Sequence, residues 1–160
     1  MPRKEHSLKL KSVTDETLMA SLSSRRRNEA LTELYARYGQ RIFGYFLRMF
    51  QGDHDKAQDF VQELFLKILE KHKQFDTSKK FSQWMFTIAS NMCKTAFRDT
   101  PRKVGIEGHE KMYLSEDEHT KNAFQQDLMD ALSRLDELHR SVFILRYMNQ
   151  LSLREISEIK

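Results

Sequence analysis

The stretch Lys79–Asp99, KKFSQWMFTIASNMCKTAFRD, holds the single Trp and the single Cys of the chain and is apolar almost throughout, yet it ends in charged residues. At about 100° per residue, its bulky side chains gather on one broad arc of a helix: Phe81, Trp84, Met85, Ile88, Ala89, Met92 and Ala96. The opposite arc is polar, with two Phe at its margin: Gln83, Thr87, Ser90, Asn91, Lys94 and Arg98, then Phe86 and Phe97. The pattern predicts an amphipathic helix whose apolar side enters a core.

The outer arc of this helix contains no acid between Phe81 and Arg98. A solvated helix face normally pairs Glu with Lys, whereas this one combines cations, amides and hydroxyls. A single-stranded nucleic acid uses these groups, together with aromatic rings, for its phosphates, base edges and stacked bases. An ordinary amphipathic helix that happens to lack acids explains the same residues. Both interpretations stay open on this stretch alone.

The composition of the whole chain predicts an all-α protein of one ordinary domain or two small ones. Its 160 residues are 39% hydrophobic and 31% charged, with five Gly and two Pro. The first residues, MPRKEHSLKLK, are charged and include no apolar h-region, and no apolar run approaches the ~20 residues that span a bilayer. One Cys excludes an internal disulfide. We therefore expect a protein of the reducing cytoplasm, with no secretory signal and no membrane insertion.

The positive charge of the chain lies mainly in its first half. The net charge is +4; residues 1–50 carry ten Lys and Arg against five Asp and Glu, whereas residues 101–160 carry nine against eleven. A polyanion would bind the first half more readily, although the excess is small.

Helical periodicity divides the chain into two parts. Four helical segments precede Arg98, and QGDHD is a turn in which Asp53 or Asp55 can cap the next helix. The periodicity then lapses across DTPRKVGIEGHEKMYLSEDEHTK, which includes an acidic cluster at 116–118. The sequence predicts two small all-α domains, at 1–99 and 122–160, joined by a flexible linker at 100–121.

The second part has the sequence of a helix-turn-helix start. Ser152 and Glu155 form an S-x-x-E capping box, and Asn149 with Gln150 supplies the turn before it. The apolar residues around this turn are predicted to form a small core: Leu138, Val142, Phe143, Leu145, Leu151 and Ile156.

No chemistry of a catalytic or metal site is visible in the sequence. The six His never fall at metal-ligand spacing, and no phosphate-binding loop, nucleophile elbow or paired acids occur. We expect no cofactor, no metal and no enzymatic activity.

Residues 59–99, DFVQELFLKILEKHKQFDTSKKFSQWMFTIASNMCKTAFRD, resemble a characteristic stretch of bacterial RNA polymerase sigma factors. The matching parts are the D-x-x-Q-E-x-F segment, the loop and the F-x-x-W-x-x-x-I-A-x-N helix, most nearly as in the extracytoplasmic-function (ECF) group. ALSRLDELHRSVFILRYMNQLSLREISEI resembles region 4 of the same family. The resemblance covers most of the chain outside the linker. It implies a sigma factor that binds core polymerase and promoter DNA, directs transcription initiation and is held by an anti-sigma protein.

The resemblance also implies roles for individual residues. Docking on the clamp helices of the largest polymerase subunit would fall to Asp59, Gln62, Glu63, Phe65 and Leu69. Helical geometry allows this, because Leu66 and Leu69 lie off the main apolar stripe; packing of the same apolar residues against neighbouring helices is the alternative. Melting and reading of the non-template strand of the promoter −10 element would fall to the loop and the next helix: Phe75, Asp76, Thr77, Ser78, Lys79, Lys80, Gln83, Thr87, Asn91, Lys94 and Arg98. Trp84 is expected in the core.

The sequence departs from the family pattern at its end. In the family a recognition helix for the −35 element follows the helix that begins at Leu153, and the chain reaches only Lys160. We therefore expect a region 4 domain that lacks the recognition helix. The alternatives are a stand-alone helix-turn-helix regulator and a helical adaptor without a nucleic-acid role; only the sigma factor requires co-purification with core polymerase.

Overall fold

The computed structural model of the protein describes residues 10–100 and 119–159, with the side chains of the second range described from residue 123. Seven α-helices and no strand occur in these two ranges, which confirms the all-α fold. None of the described helices is long and apolar enough to cross a bilayer. Residues 101–118 of the predicted linker, including the acidic cluster, lie outside the described residues, whereas its last three positions, 119–121, belong to a helix. The flexibility of the linker stays a prediction.

The helices of the first range are α1 (Asp15–Ser21), α2 (Arg27–Met49), α3 (His54–Lys71) and α4 (Phe81–Asp99), with a 3₁₀ turn at His72–Gln74. Those of the second range are α5 (His119–Ser133), α6 (Glu137–Phe143) and α7 (Leu153–Ile159), with a π-helical segment at Ile144–Met148 between α6 and α7.

Short polar side chains cap α1 and α3. Thr14 Oγ1 accepts a hydrogen bond from the Thr17 amide at the start of α1, at 3.3 Å. Asp53, rather than Asp55, caps α3 by accepting from the Lys56 amide at 3.0 Å. Because an N-cap satisfies amides that have no partner within the helix, Thr14 and Asp53 mark where α1 and α3 begin.

The capping box of α7 forms as predicted, with both of its hydrogen bonds. The Ser152 amide donates to Glu155 Oε2 at 2.8 Å, and the Glu155 amide donates to Ser152 Oγ at 3.1 Å. Each residue thus satisfies a free amide of the other, which locks the first turn of α7.

A helical core occupies the space between α2, α3 and α4. The apolar stripe of each helix faces the other two, and aromatic rings meet edge to face: Phe60 lies 5.4 Å from Phe46 and 4.6 Å from Phe50, centroid to centroid. The largest side chains in this core are fully buried: Leu34, Ile42, Tyr45, Phe46, Met49, Leu64, Ile68, Phe81 and Phe86.

The core predicted around the second turn is mostly confirmed, with one error. Leu145, Leu151 and Ile156 are buried, but the Leu138 side chain is 53% exposed. The reason is that α6 turns Arg140 and Ser141 inward instead, toward the helices of the first range.

Three hydrogen bonds join α6 and the turn after it to α2. The Arg140 guanidinium donates to the Met49 carbonyl at 2.9 Å, and the hydroxyls of Tyr45 and Ser141 are 3.1 Å apart in a buried position. Arg41 donates to the Asn149 carbonyl at 3.2 Å. The two described ranges therefore pack against each other.

Candidate nucleic-acid interface

The start of α4 is held by a side chain of α1. No side chain of the preceding residues caps α4, but the Phe81 amide donates to Glu16 Oε1 at 3.1 Å. This bond ties the loop that ends at Lys80 to the rest of the fold. The apolar arc predicted for α4 is buried or half-buried throughout: Phe81, Trp84, Met85, Ile88, Ala89, Met92 and Ala96.

The loop between α3 and α4 turns its aromatic residue inward and its polar residues outward. Phe75 is buried, with its ring centroid 5.2 Å from that of Trp84. Asp76 accepts from the Ser78 hydroxyl at 2.7 Å and from the Ser78 amide at 2.9 Å, and these bonds lower the pKa of its carboxyl. The carboxylate thus shapes the turn. All five residues from Asp76 to Lys80 are exposed at the loop surface.

The outer arc of α4 is exposed mainly along its second half. Asn91, Lys94 and Arg98 are exposed, whereas Thr87 and Gln83 are half-buried. The Thr87 hydroxyl donates to the Gln83 carbonyl at 2.8 Å, so it is engaged within the helix. The helix offers an amide and two cations to a partner over this stretch.

One residue assigned to the outer arc by periodicity and one placed at its margin are in fact buried, so that part of the prediction was wrong. Ser90 and Phe86 are both buried, and Phe86 packs edge to face against Tyr45 at 5.7 Å between centroids. The cause is tertiary: α2 and α6 cover this side of α4. Phe97 is half-buried and lies 5.5 Å from Phe50.

Acidic residues of α7 contact Lys80 and Gln83 at the start of α4. Lys80 Nζ lies 3.1 Å from Glu155 Oε1, and Gln83 Nε2 donates to Glu158 Oε2 at 2.5 Å. The Ser152 amide, and after it the Lys80 side chain, lower the pKa of the Glu155 carboxyl. Sequence reasoning missed both contacts: Glu155 stood out only as a capping residue, and Glu158 carried no signal at all.

Farther along α4, α6 faces the same side of the helix. Lys94 and Arg98 line an open cavity together with Glu137 and Leu138 of α6. The C-terminal helices therefore lie beside α4 at both its first and its last turns.

The residues implied in polymerase docking lie on α3, away from this interface. Asp59, Gln62 and Glu63 are exposed, Leu69 is half-buried, and Phe65 is buried with its ring 5.0 Å from that of Tyr35. The exposed apolar side chains next to them are Tyr35 (52%) and Leu66 (61%). An exposed apolar patch beside exposed polar residues is typical of a protein-binding surface.

Comparison with protein families finds two matches that together cover more than half of the chain. The first is sigma-70 region 2, which matches residues 34–103. The second is sigma-70 region 4, which matches residues 125–159. The first match contains both α4 and the docking residues of α3, and the second contains the helix-turn-helix start.

Similar proteins are also found among named sigma factors and solved structures. The ECF RNA polymerase sigma factor SigW of Bacillus subtilis (strain 168) is 28% identical over 146 residues, covering 82% of this chain and 77% of SigW. The RNA polymerase sigma factor CarQ of Myxococcus xanthus is 25% identical over 142 residues, with the same two coverages. A structure of CnrH in complex with the cytosolic domain of CnrY superposes with a TM-score of 0.66, at 22% identity, and covers 91% of this chain and 81% of that one. This last likeness shows a shared fold.

Proposed function

This chain belongs to the sigma-70 family, in its ECF group, and we propose that α4 and the loop before it melt and read the promoter −10 element. A sigma factor binds RNA polymerase and DNA in transcription initiation; the proposal concerns the surfaces that do so. The observation that carries it is the acid-free outer arc of α4, on which Asn91, Lys94 and Arg98 are exposed. The chain acts by binding, in the cytoplasm, without catalysis of its own.

The exposed groups of α4 and of the loop before it fall into two chemical classes with different tasks. Lys79, Lys80, Lys94 and Arg98 are cations, which attract phosphates whatever the base. The Asn91 side chain carries both a donor and an acceptor, so it can recognise the edge of an unpaired base. Because the Phe75 ring is buried, we assign base recognition to Asn91 and no base stacking to Phe75.

The two classes predict different results in transcription assays. Lys94→Gln should weaken binding to every −10 sequence. It should also reduce the slope of log K against log salt concentration by about 0.7, the value for one phosphate contact on a single strand. Asn91→Ala should keep the salt dependence and relax preference at one base, by about 1–3 kcal/mol of discrimination. The measurement is run-off transcription with core polymerase on promoters varied at each −10 position. Equal losses on all promoters from both variants would contradict base reading by Asn91.

We further propose that the exposed α3 residues Asp59, Gln62 and Glu63 dock on the clamp helices of the largest polymerase subunit. Phe65, which is buried, and Leu69, which is half-buried, complete this docking surface. Glu63→Arg combined with Gln62→Ala should weaken association with core polymerase and change the free energy of unfolding by no more than ~0.5 kcal/mol. Asp127→Arg with Gln125→Ala is the matched control, since it makes the same change on an exposed face of α5. Equal association of both double variants with core polymerase would refute the assignment.

An anti-sigma protein is the partner we propose for regulation. CnrH, which shares the fold, was solved with the cytosolic domain of CnrY. A protein that covers the α3 patch around Leu66 and Tyr35 would compete with polymerase for the same surface. Competition between the purified partner and core polymerase for the chain is the test, and simultaneous binding of both would contradict it.

A further inference from the structure

We propose that Glu16 of α1 is a positioning residue for the −10 surface, because it fixes the point at which the loop between α3 and α4 becomes α4. This role rests on the proposed function, since it concerns how the same loop and helix are held. The preference for −10 bases then depends in part on a side chain that touches neither the bases nor the phosphates.

Glu16 supplies the cap that α4 lacks in its own sequence. The first turn of α4 contains no acid, and Lys80, at the N-cap position, makes no side-chain cap bond. The half-buried Glu16 accepts a hydrogen bond at Oε1 from the Phe81 amide, at 3.1 Å and across 65 positions of the chain. A helix start favours a negative charge and leaves its first amides without partners within the helix. The Glu16 carboxylate meets both needs, so it helps to determine where α4 begins.

The helix that carries Glu16 is itself firmly held. The neighbouring Asp15 accepts hydrogen bonds from Arg37 Nη1, at 2.8 Å, and from the Tyr38 hydroxyl, and both donors lie on α2. Leu18 of the same helix is fully buried in the core. A side chain positions its partner well only when packing and hydrogen bonds fix its own element. Glu16 therefore fixes the start of α4 relative to α2.

The other end of the loop is attached to the turn that follows α1. His72 Nδ1 lies 2.6 Å from the Leu69 carbonyl oxygen, which can only accept, so this nitrogen is the donor. Nε2 of the neutral ring then accepts from the Ser23 hydroxyl, 2.9 Å away. Between the two attachments, the buried Phe75 ring packs on Trp84. The loop is thus held at both ends by one part of the fold.

The charge of Glu16 favours positioning over contact with DNA. A carboxylate repels the phosphates that Lys79 and Lys80 attract, and its bonding partner, Phe81, directly follows these two residues in the chain. An acid at this place lowers the affinity for DNA unless it has another task. Its bond to the Phe81 amide is such a task.

Run-off transcription with core polymerase, on promoters varied at each −10 position, measures this role. Glu16→Ala should reduce the ratio between the preferred promoter and its single-base variants by about fivefold at one or more positions, as expected for the loss of one helix cap. Glu16→Gln keeps an oxygen that accepts from the Phe81 amide, so it should retain most of the native ratio.

Two controls separate positioning from a loss of charge and from a loss of stability. Glu70→Ala removes the same charge at an exposed site of α3. Asp53→Ala removes a cap of similar strength from the opposite end of α3. Both variants should leave the ratio between promoters unchanged, although Asp53→Ala lowers the free energy of unfolding.

The single Trp of the chain reports on the loop in the free protein. Because Phe75 packs on the half-buried Trp84, release of the loop exposes more of the indole. Glu16→Ala should therefore raise the quenching of Trp84 fluorescence by acrylamide above that of the native chain. Glu16→Gln and Asp53→Ala should not raise it, and circular dichroism checks that the helices remain folded.

Asn91→Ala in the same transcription assay separates the possible failures. If Asn91→Ala relaxes base preference and Glu16→Ala does not, the positioning role is wrong and the proposed DNA surface stands. If neither variant changes preference, the proposed surface fails and the positioning role with it. Equal relaxation in Glu16→Gln and Glu16→Ala, or relaxation without increased quenching, would show that Glu16 acts by its charge and would overturn positioning. Relaxed preference and increased quenching in Glu16→Ala, both absent in Glu16→Gln, support it.

Discussion

Arg140→Met should destabilise the protein by about 2–4 kcal/mol, because the buried guanidinium is hydrogen-bonded to four carbonyl groups. It donates to the carbonyls of Leu132, Met49 and Leu135, each at 2.9 Å, and to that of Ser133 at 3.5 Å. Leu132 keeps the Leu135 amide as a second donor, so the carbonyls of Met49 and Leu135 each lose a 2.9 Å bond, and Ser133 loses only the longer one. A buried unsatisfied polar group costs ~1–3 kcal/mol. Burial of the charged guanidinium, which lowers the pKa of Arg140, is itself unfavourable. The Met variant avoids this burial, which offsets part of the cost.

The assay is urea and thermal unfolding followed by two probes. For a protein of this size the predicted loss corresponds to a decrease in melting temperature of about 5–15 °C. Trp84 fluorescence reports on α4 and circular dichroism on all helices, and both transitions should shift together because Arg140 joins α6 to α2. Arg134→Met is the control, since it removes the same charge at an exposed site, and it should change the free energy of unfolding by no more than ~0.5 kcal/mol. A loss below ~1 kcal/mol, or a shift in circular dichroism alone, would refute the reasoning.

Three further results are expected. Asp53→Ala should remove the cap of α3 and lower stability by ~1 kcal/mol in urea unfolding, whereas an unchanged midpoint would show that the cap bond is not needed. Leu66→Gln should change the free energy of unfolding by no more than ~0.5 kcal/mol yet weaken capture of core polymerase, because the side chain is exposed on α3, the proposed docking helix; undiminished capture would exclude Leu66 from docking. The contacts that lower the pKa of the Glu155 carboxyl stabilise the fold fully above the ordinary pKa of a glutamate, and this stabilisation is lost as pH falls through the lowered value. The free energy of unfolding should therefore fall less in acid in Glu155→Gln than in the native chain, and equal decreases would contradict this.

Local patterns predicted the helices, their caps and the family. The Ser152–Glu155 capping box, the Asp53 cap and the apolar stripes all involve residues within a few positions of each other, so a single stretch of sequence contains both partners. The resemblance of residues 59–99 to sigma factors likewise depends on spacing within adjacent helices, and the family comparisons confirm it. The docking and DNA-reading roles of individual residues stay predictions.

What only the tertiary structure decided is which surfaces of these helices are covered. Ser90 lies on the outer arc of α4 by its helical period and Phe86 at the margin of that arc, but distant helices bury both. The contact of Lys80 with Glu155 joins residues that are 75 positions apart in the chain. The period of a helix states which side chains share a face, and it contains no information about the helix that will pack there. That choice depends on the fit of whole surfaces brought together from separate parts of the chain, so it appears only once the chain has folded.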